Sequence, residues 1–530
     1  MEKEEIFRIT DSSDIKKSIY VKGRIIIFAM AILAAVLQGN YVTSVACGAE
    51  RQIQMTVVLL AGIVLISLWT ARSLGGKMTD EGTLFYIIFF GTLMRTAFVL
   101  FNDIRTLQND GGTFTGFGTP NINNGHIGYI EYIYKFFHLP DMDPYEYFGY
   151  YHPPLHHIIE ALWMTLQRFI GVPEELAFEN LQIPTLIYSS LCMLVMLHIL
   201  EESGISKKYI KAGLLLFAFH PRMMVLAGSV NNDILALLLL LVTIWRMLAW
   251  IGDKSYRNII LLALSLGFGM ISKLNTAICA FSIAVIFLVE LIRVIKEKNL
   301  VNLKRTVLEY VVFGLICIPI GLSYIVRNLV LFGEKPGIPS PAIIPSQSVM
   351  YTGDYSVWSI IGIPALSELR LEFPFHPLSA KAIHNTWVIL FQTGLFAEAY
   401  PTTIGDFLLS FAQVAYVASI ILAVLTTIIF ICGYTKKYVG EVKEKYSKSS
   451  DATLFLLSTY VFMLLSFCLY VFKYPYTCSS DFRYMTASLV FTSIGFVLSQ
   501  KSGRALRYIL NTAMAVTLIC SLIVYMFWDI

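Results

Sequence analysis

A succession of long apolar stretches constrains this chain more than anything else in it, each stretch near the twenty or so residues a helix needs to cross a bilayer. Thirteen can be marked, at 22–42, 55–74, 82–101, 181–200, 209–228, 232–251, 257–273, 276–295, 306–326, 404–432, 452–472, 484–500 and 507–527. Apolar residues fill 56% of the 530 positions and charged residues only 14%, which excludes an ordinary soluble domain. Lipid offers the backbone no hydrogen-bond partners, so runs without strand alternation must be helices. The expected fold is an all-α polytopic membrane protein of about thirteen transmembrane helices with large outer loops.

The net charge of +4 is spread over short basic clusters between the apolar runs, a pattern of membrane topology and not of nucleic-acid binding. Lys16, Lys17, Lys22 and Arg24 place the N-terminus in the cytoplasm of a plasma-membrane protein. Alternation from there puts the clusters around Lys77, Lys207, Lys254, Lys304, Lys436 and Arg504 on the same side. The first apolar run has no small-residue cleavage pattern after it and is expected to stay as an anchor. Residues 155–171 are the ambiguous stretch. As a fourteenth span they would invert everything downstream, but His156, His157, Glu160, Gln167 and Arg168 make them amphipathic, so they are expected to lie in the outer interface. The eight cysteines show no CxxC or zinc spacing.

Five regions follow from this layout. Residues 1–101 hold the N-terminal tail and three spans, 102–180 a first outer loop with the interfacial helix, and 181–326 the transmembrane core. Residues 327–403 form a second outer loop that suits an acceptor region, and 404–530 the C-terminal spans with an outer DFRY motif. The first loop is polar, rich in Gly and Asn, and long enough to be functional. In this topology FND at 101–103, SVNND, SKLN, RNLVLFG and SSDFRY all reach the same outer face.

Asp103 lies where a span emerges, flanked by Asn102 and Arg105. A carboxylate there is partly desolvated yet able to reach water, which suits a general base, while the plainer reading is a helix cap. His152 and His156, then His156 and Glu160, repeat an i, i+4 spacing that would bring imidazoles and a carboxylate to one helical face. HExxH is absent, so phosphate or substrate contact is favoured over a tight structural metal. Asn231, Asn232 and Asp233 open an apolar run in the manner of an N-cap, with or without a further contact to substrate. Lys273, Arg327 and Arg483 are cations on the outer side, against the inside-positive trend. Singly each can snorkel to lipid; together they suit a phosphate or diphosphate.

The motifs FND, GHIGYIEYIY, LPDMDP, YYHPPLHH, FHPRMM, SVNND, RNLVLFG and CSSDFRYM together resemble the GT-C glycosyltransferases, in particular the bacterial branch related to protein O-mannosyltransferases and aminoarabinose transferases. The resemblance runs from about Asp103 to Tyr484, with YHPPLHH and DFRY as its strongest parts. It implies transfer of a sugar from a polyprenyl-phosphate donor to a glycan, lipid or protein hydroxyl at the outer face, inverting, with Asp103 as base. It further implies Arg327, Arg483, Lys273 and His152 as phosphate contacts, and His126, Tyr151, His156, His157, Asn232, Asp233, Asp481 and Tyr484 as substrate contacts. Relatives often carry an Asp-Glu pair where this chain has Asp103 followed by Ile104. Some use a divalent metal ion and others do not, which leaves the metal open. A transporter or flippase of lipid-linked glycans, a ligase, and a glycolipid receptor are the competing readings. The candidate charges sit at the outer surface and not at the midplane where transporters concentrate theirs.

Overall fold

The computed structural model describes residues 17–46, 52–102, 104, 125–334, 346, 348–375, 384–398, 404–443 and 448–527. Asp103, Arg105 and Cys47 lie outside the described residues. The chain divides into two units, residues 1–238 and 239–529.

The first unit contains α1 (Lys17–Ala46), α2 (Gln52–Leu74), α3 (Asp80–Phe101), α4 (Gly125–Phe136), α5 (Leu155–Phe169), α6 (Glu174–Glu179), α7 (Gln182–Glu202), α8 (Lys207–Phe219) and α9 (Pro221–Gly228). α10 (Asp233–Gly252) leads into the second unit, which continues with α11 (Tyr256–Ser272), α12 (Ile278–Lys296), α13 (Leu300–Phe332), α14 (Val357–Ile361), α15 (Leu366–Leu369), α16 (Thr386–Phe396), α17 (Asp406–Lys443), α18 (Lys448–Lys473), α19 (Ser488–Ser499) and α20 (Arg504–Phe527). Every one of the thirteen apolar stretches is helical, and the protein is a multi-pass membrane protein. Among the described residues ten helices are long and apolar enough to cross, and the pair α8–α9, bent by 50°, makes eleven if taken as one span, so the expected count of thirteen is not confirmed. α11 has 17 residues and α19 has 12, because SKLN ends the first in a polar turn and the DFRY turn takes up the start of the second run.

The bend between α8 and α9 organises the first unit. Pro221 removes a backbone donor and starts the new helix at its first position, with His220 as cap. Carbonyls freed by a bend in lipid need other partners. Arg95 of α3, fully buried, supplies them: Nη1 donates to Ala218 O and Gly91 O at 2.8 Å, and Nε donates to Ser189 Oγ at 2.9 Å. The Ser189 hydroxyl in turn donates to Met223 O at 2.7 Å, and Thr185 donates to Ala227 O at 2.8 Å. At the end of the bent span, Gln182 Nε2 donates to both Gly228 O (3.1 Å) and Asn102 O (3.0 Å). One α7 side chain therefore holds the exits of α9 and α3 together.

α5 is a helix of 15 residues, too short to span about 30 Å at about 1.5 Å per residue. His156, His157, Glu160 and Gln167 are buried, while Leu162, Leu166, Phe169 and Ile170 are exposed, Phe169 to 85%. An apolar face turned out and a polar face turned in is the arrangement of a helix that rests in a membrane surface.

In the second unit α11 packs on α13, α12 on α18, and α17 on α18, α19 and α20. Part of the 327–403 region is ordered against the segment that precedes DFRY. Tyr351 pairs with Tyr476 in an antiparallel bridge, and Asn385 and Trp387 of the α16 start bond to Gly362 O and Ile361 O at 2.9 and 2.8 Å.

Gly149 and Gly125 meet backbone to backbone where the first loop folds back. Gly149 has φ +86°, and a Cβ there would lie 2.8 Å from the Gly125 carbonyl carbon. Gly171 has a similar φ of +87° with nothing within 4 Å. Gly171→Ala is expected to cost only the left-handed backbone energy, about 1–2 kcal/mol. Gly149→Ala should cost distinctly more, seen as a lower Tm in detergent; equal losses would mean that the Gly125 contact is immaterial.

Candidate functional site

Two clusters hold the predicted residues, one in each unit. In the first unit, α4 and α5 face each other with the turn at 144–152 between them. Asp143 caps that turn, accepting from Tyr145 N at 2.8 Å, and Phe148 O accepts from Gly125 N at 2.7 Å to dock the loop on the start of α4. His126 Nδ1 lies 2.9 Å from His157 Nε2. The His126 ring stacks on His157 and on His152 with centroids at 5.2 and 5.0 Å. Tyr129, one turn along α4, stacks on His157 (4.3 Å) and on Tyr150 (4.8 Å), and the Tyr151 ring lies 4.6 Å from His152.

The predicted i, i+4 pairing of His152 with His156 does not form. Pro153 and Pro154 hold the chain before the helix, which begins at Leu155, so His152 turns to His126 instead. The second pairing does form: His156 Nδ1 lies 3.8 Å from Glu160 Oε1. Both are fully buried. Burial pushes the Glu160 carboxyl well above, and the His156 imidazole well below, their ordinary values, with His126 adding to the downward push. The spacing is that of an ion pair, yet desolvation of two charges favours the neutral pair. His157 is likewise held neutral, by burial first and then by His126, His156 and His152.

The backbone on either side of Asp103 is anchored to this cluster's surroundings. Asn102 O accepts from Gln182, and Ile104 N donates to Glu179 Oε2 at 3.5 Å. Ile104 packs in one apolar core with Tyr129, Tyr132, Tyr150 and Met164, and Val230 packs against that core. Val230 precedes Asn231, whose Oδ1 accepts from Asp233 N at 3.0 Å, so the cap reading of SVNND holds; Asn232 and Asp233 are buried beside it.

In the second unit the DFRY turn is gripped by α16: Thr393 Oγ1 accepts from Phe482 N at 2.9 Å, and Asp481 Oδ1 caps the turn from Arg483 N at 2.6 Å. Lys273, at the end of α11, and Arg483 each stand 5.2 Å from the centre of the Tyr484 ring. The Tyr470 hydroxyl donates to the Tyr484 hydroxyl at 3.3 Å. Burial pushes the Tyr484 phenol well up despite the neighbouring guanidinium, so it stays neutral. Arg483 Nη2 lies 3.6 Å from Glu398 Oε1. Two of the three predicted phosphate cations thus meet at one tyrosine. Arg327 stays on α13, over Tyr324 and Phe332, with Nη1 donating to Asn328 Oδ1 at 3.0 Å.

Tyr129, Tyr150, Glu179, Gln182, Tyr470 and Glu398 were not singled out from the sequence as site residues. Tyr129 carried a signal, being three residues after His126 on a helix; Glu398, in no motif, carried none. Among the described residues no three of His, Cys, Asp and Glu gather in a way that would hold a metal ion. His126 and His157 are turned on each other.

Residues 151–321 match the family described as dolichyl-phosphate-mannose-protein mannosyltransferase. The match begins at YHPPLHH and ends before Arg327, so Asp103 and DFRY lie outside it. Comparison with curated proteins finds no match. Among solved structures, the Archaeoglobus fulgidus oligosaccharyltransferase in its apo form is 12% identical with a TM-score of 0.47, over 83% of this chain and 55% of that one. The archaeal oligosaccharyltransferase AglB from Archaeoglobus fulgidus in complex with an inhibitory peptide and a dolichol-phosphate gives 11% and 0.46, over 83% and 55%. ArnT from Cupriavidus metallidurans bound to undecaprenyl phosphate gives 14% and 0.33, over 78% and 76%. The chain thus spans about half the length of the oligosaccharyltransferases it matches.

The neutral Glu160 has a spectroscopic consequence. At neutral pH the infrared spectrum is expected to contain the carbonyl stretch of a protonated carboxylic acid that Glu160→Gln removes. A carboxyl raised above its ordinary 4.5 stabilises the fold fully in acid and progressively less as pH climbs through the raised value. Wild type should therefore lose Tm toward alkaline pH more steeply than Glu160→Gln. Identical spectra and pH profiles would show that the carboxyl is ionised.

Proposed function

We propose that this chain, a membrane glycosyltransferase related through residues 151–321 to the protein-mannosyltransferase branch of the GT-C superfamily, moves a sugar from a polyprenyl-phosphate donor to an acceptor hydroxyl at the outer face of the plasma membrane. The family match over the segment that carries His152, His156 and His157 is the observation on which the reading rests. In it, Asp103 takes the proton of the acceptor hydroxyl, the oxygen attacks the anomeric carbon, and the lipid phosphate leaves from the opposite side with inversion. Asn102 and Ile104 hold the backbone around that carboxylate.

Lys273 and Arg483 take up the charge that grows on the departing phosphate, with Arg327 and His152 as further contacts. The approach of both cations to the one Tyr484 ring supports this assignment, since a neutral aromatic holds them near each other without neutralising them. Tyr151, His126, His156, His157, Asn232, Asp233 and Asp481 are the remaining substrate-facing candidates. His126 and His157 serve by shaping the cluster, and Asp481 by capping the turn. The acceptor is a glycan, lipid or protein, recognised by the 327–403 region. A flippase or ligase of lipid-linked glycans is the alternative.

The test follows release of free polyprenyl phosphate from a panel of polyprenyl-phosphate sugars by protein in nanodiscs. Asp103→Asn is expected to reduce release by about 10²–10⁴-fold, the usual worth of a positioned base. Equal release by both proteins would remove Asp103 from the mechanism. Donor binding without release by wild type would favour a flippase.

A further inference from the structure

The polar face of α5 contains groups to which the transfer mechanism gives no task. His156 and Glu160, one turn apart, are both at 0% exposure, and His156 Nδ1 stands 3.8 Å from Glu160 Oε1, beyond hydrogen-bond reach. Among the described residues neither ring nitrogen of His156 and neither oxygen of Glu160 has a hydrogen-bond partner. Tyr188 of α7 lies within electrostatic range of Glu160, and its buried hydroxyl likewise has no partner there. Trp163, one turn past Glu160, packs in one apolar cluster with Leu186 and Ile187 and so keeps α5 against that part of α7.

Polar atoms taken out of water without partners destabilise a fold, and apolar side chains of like size carry no such penalty. Groups retained under it point to a ligand that supplies their hydrogen bonds. The chemistry of the set says which ligand. A protonated carboxyl, a neutral imidazole and a phenol each donate one hydrogen bond and accept another, which is the pattern of an alcohol. Burial, and no neighbouring cation among the described residues, sets the state of Glu160, so an anion finds no counter-charge here. The outward side of α5, with Leu162, Leu166, Phe169 and Ile170, is exposed, so the helix can tilt to admit a ligand without disturbing a second packed face.

We infer that His156, Glu160 and Tyr188 form a recognition site for the hydroxyl groups of a sugar, with Glu160 as the specificity-determining residue. The inference rests on the proposed glycosyl transfer and names the part of the ligand that this set reads, the sugar and not the phosphate. A hydroxyl that enters supplies hydrogen bonds to the carboxyl and the ring together, whereas an analogue lacking it leaves them unmet. A site of this kind has a distinctive sign: an apolar replacement holds or raises stability while it weakens recognition.

The experiment compares wild type, Glu160→Gln, Glu160→Met and Tyr188→Phe in nanodiscs, measuring ligand-free Tm and affinity for three probes: bare polyprenyl phosphate, polyprenyl-phosphate sugars, and methyl glycosides of the same sugars. Glu160→Met and Tyr188→Phe are expected to keep or raise Tm, to bind the bare lipid as wild type does, and to lose about twofold to tenfold in affinity for a sugar, the worth of a neutral hydrogen bond. Glu160→Gln retains a donor and an acceptor and should keep most of that affinity. Loss confined to the sugar-bearing lipid identifies the sugar of the donor, and loss confined to the glycosides identifies that of the acceptor; each supports the site. Sugar affinities unchanged in Glu160→Met and Tyr188→Phe would overturn it, and so would a lower Tm in both with sugar affinity retained, the result of a pair that only packs α5. Asp103-dependent release with those affinities unmoved would sink the hydroxyl site and keep the transferase. Glycoside binding that depends on Glu160, without release of polyprenyl phosphate by wild type, would keep the site and sink the transferase.

Discussion

A span that bends inside a bilayer exposes carbonyls to a solvent that cannot bond them, and the first unit is arranged around supplying their partners. Arg95 is the main supplier. A guanidinium within a span is expensive, and this one is tolerated because its donors are directed at Gly91, Ala218 and Ser189. Ser189, Thr185 and Gln182 on successive turns of α7 extend the same service along α9. Through Gln182 the arrangement reaches Asn102, so the C-terminal cap of α3 is tied to the geometry of the bend.

The two clusters solve different electrostatic problems. The histidine cluster is built from stacked imidazoles and phenols, and burial holds His156, His157 and the Glu160 carboxyl in their neutral forms. The DFRY cluster brings two cations to one tyrosine ring and turns a carboxylate toward one of them. One cluster has removed charge by desolvation, the other by juxtaposition.

Much of this was legible in the residues, because lipid imposes a strong pattern. Each apolar stretch became a helix, and the mixed face of α5 was readable from its residues. What escaped reading depended on the third dimension. Pro221 was visible, but the hydropathy of 209–228 runs on through it, so the run looked like one straight span. The His152–His156 spacing suggested a shared helical face that exists only if the helix begins earlier than Leu155. The contacts His126–His157 and Lys273–Tyr484–Arg483 join residues from separate elements and leave no periodic trace. Glu398 has no motif at all; only the turn at Ala397 brings it to Arg483.

The bare apolar side of α5 has a geometric consequence. On the interfacial reading, a helix with Leu162, Leu166, Phe169 and Ile170 turned outward would float at a depth set by the lipids and carry His157, on its inner side, at that depth. A ligand held by a lipid tail travels in the same plane, so encounter becomes a lateral search in two dimensions. The relevant concentration is then molecules per unit area of membrane, and bilayer thickness and headgroup packing become variables of the reaction alongside affinity.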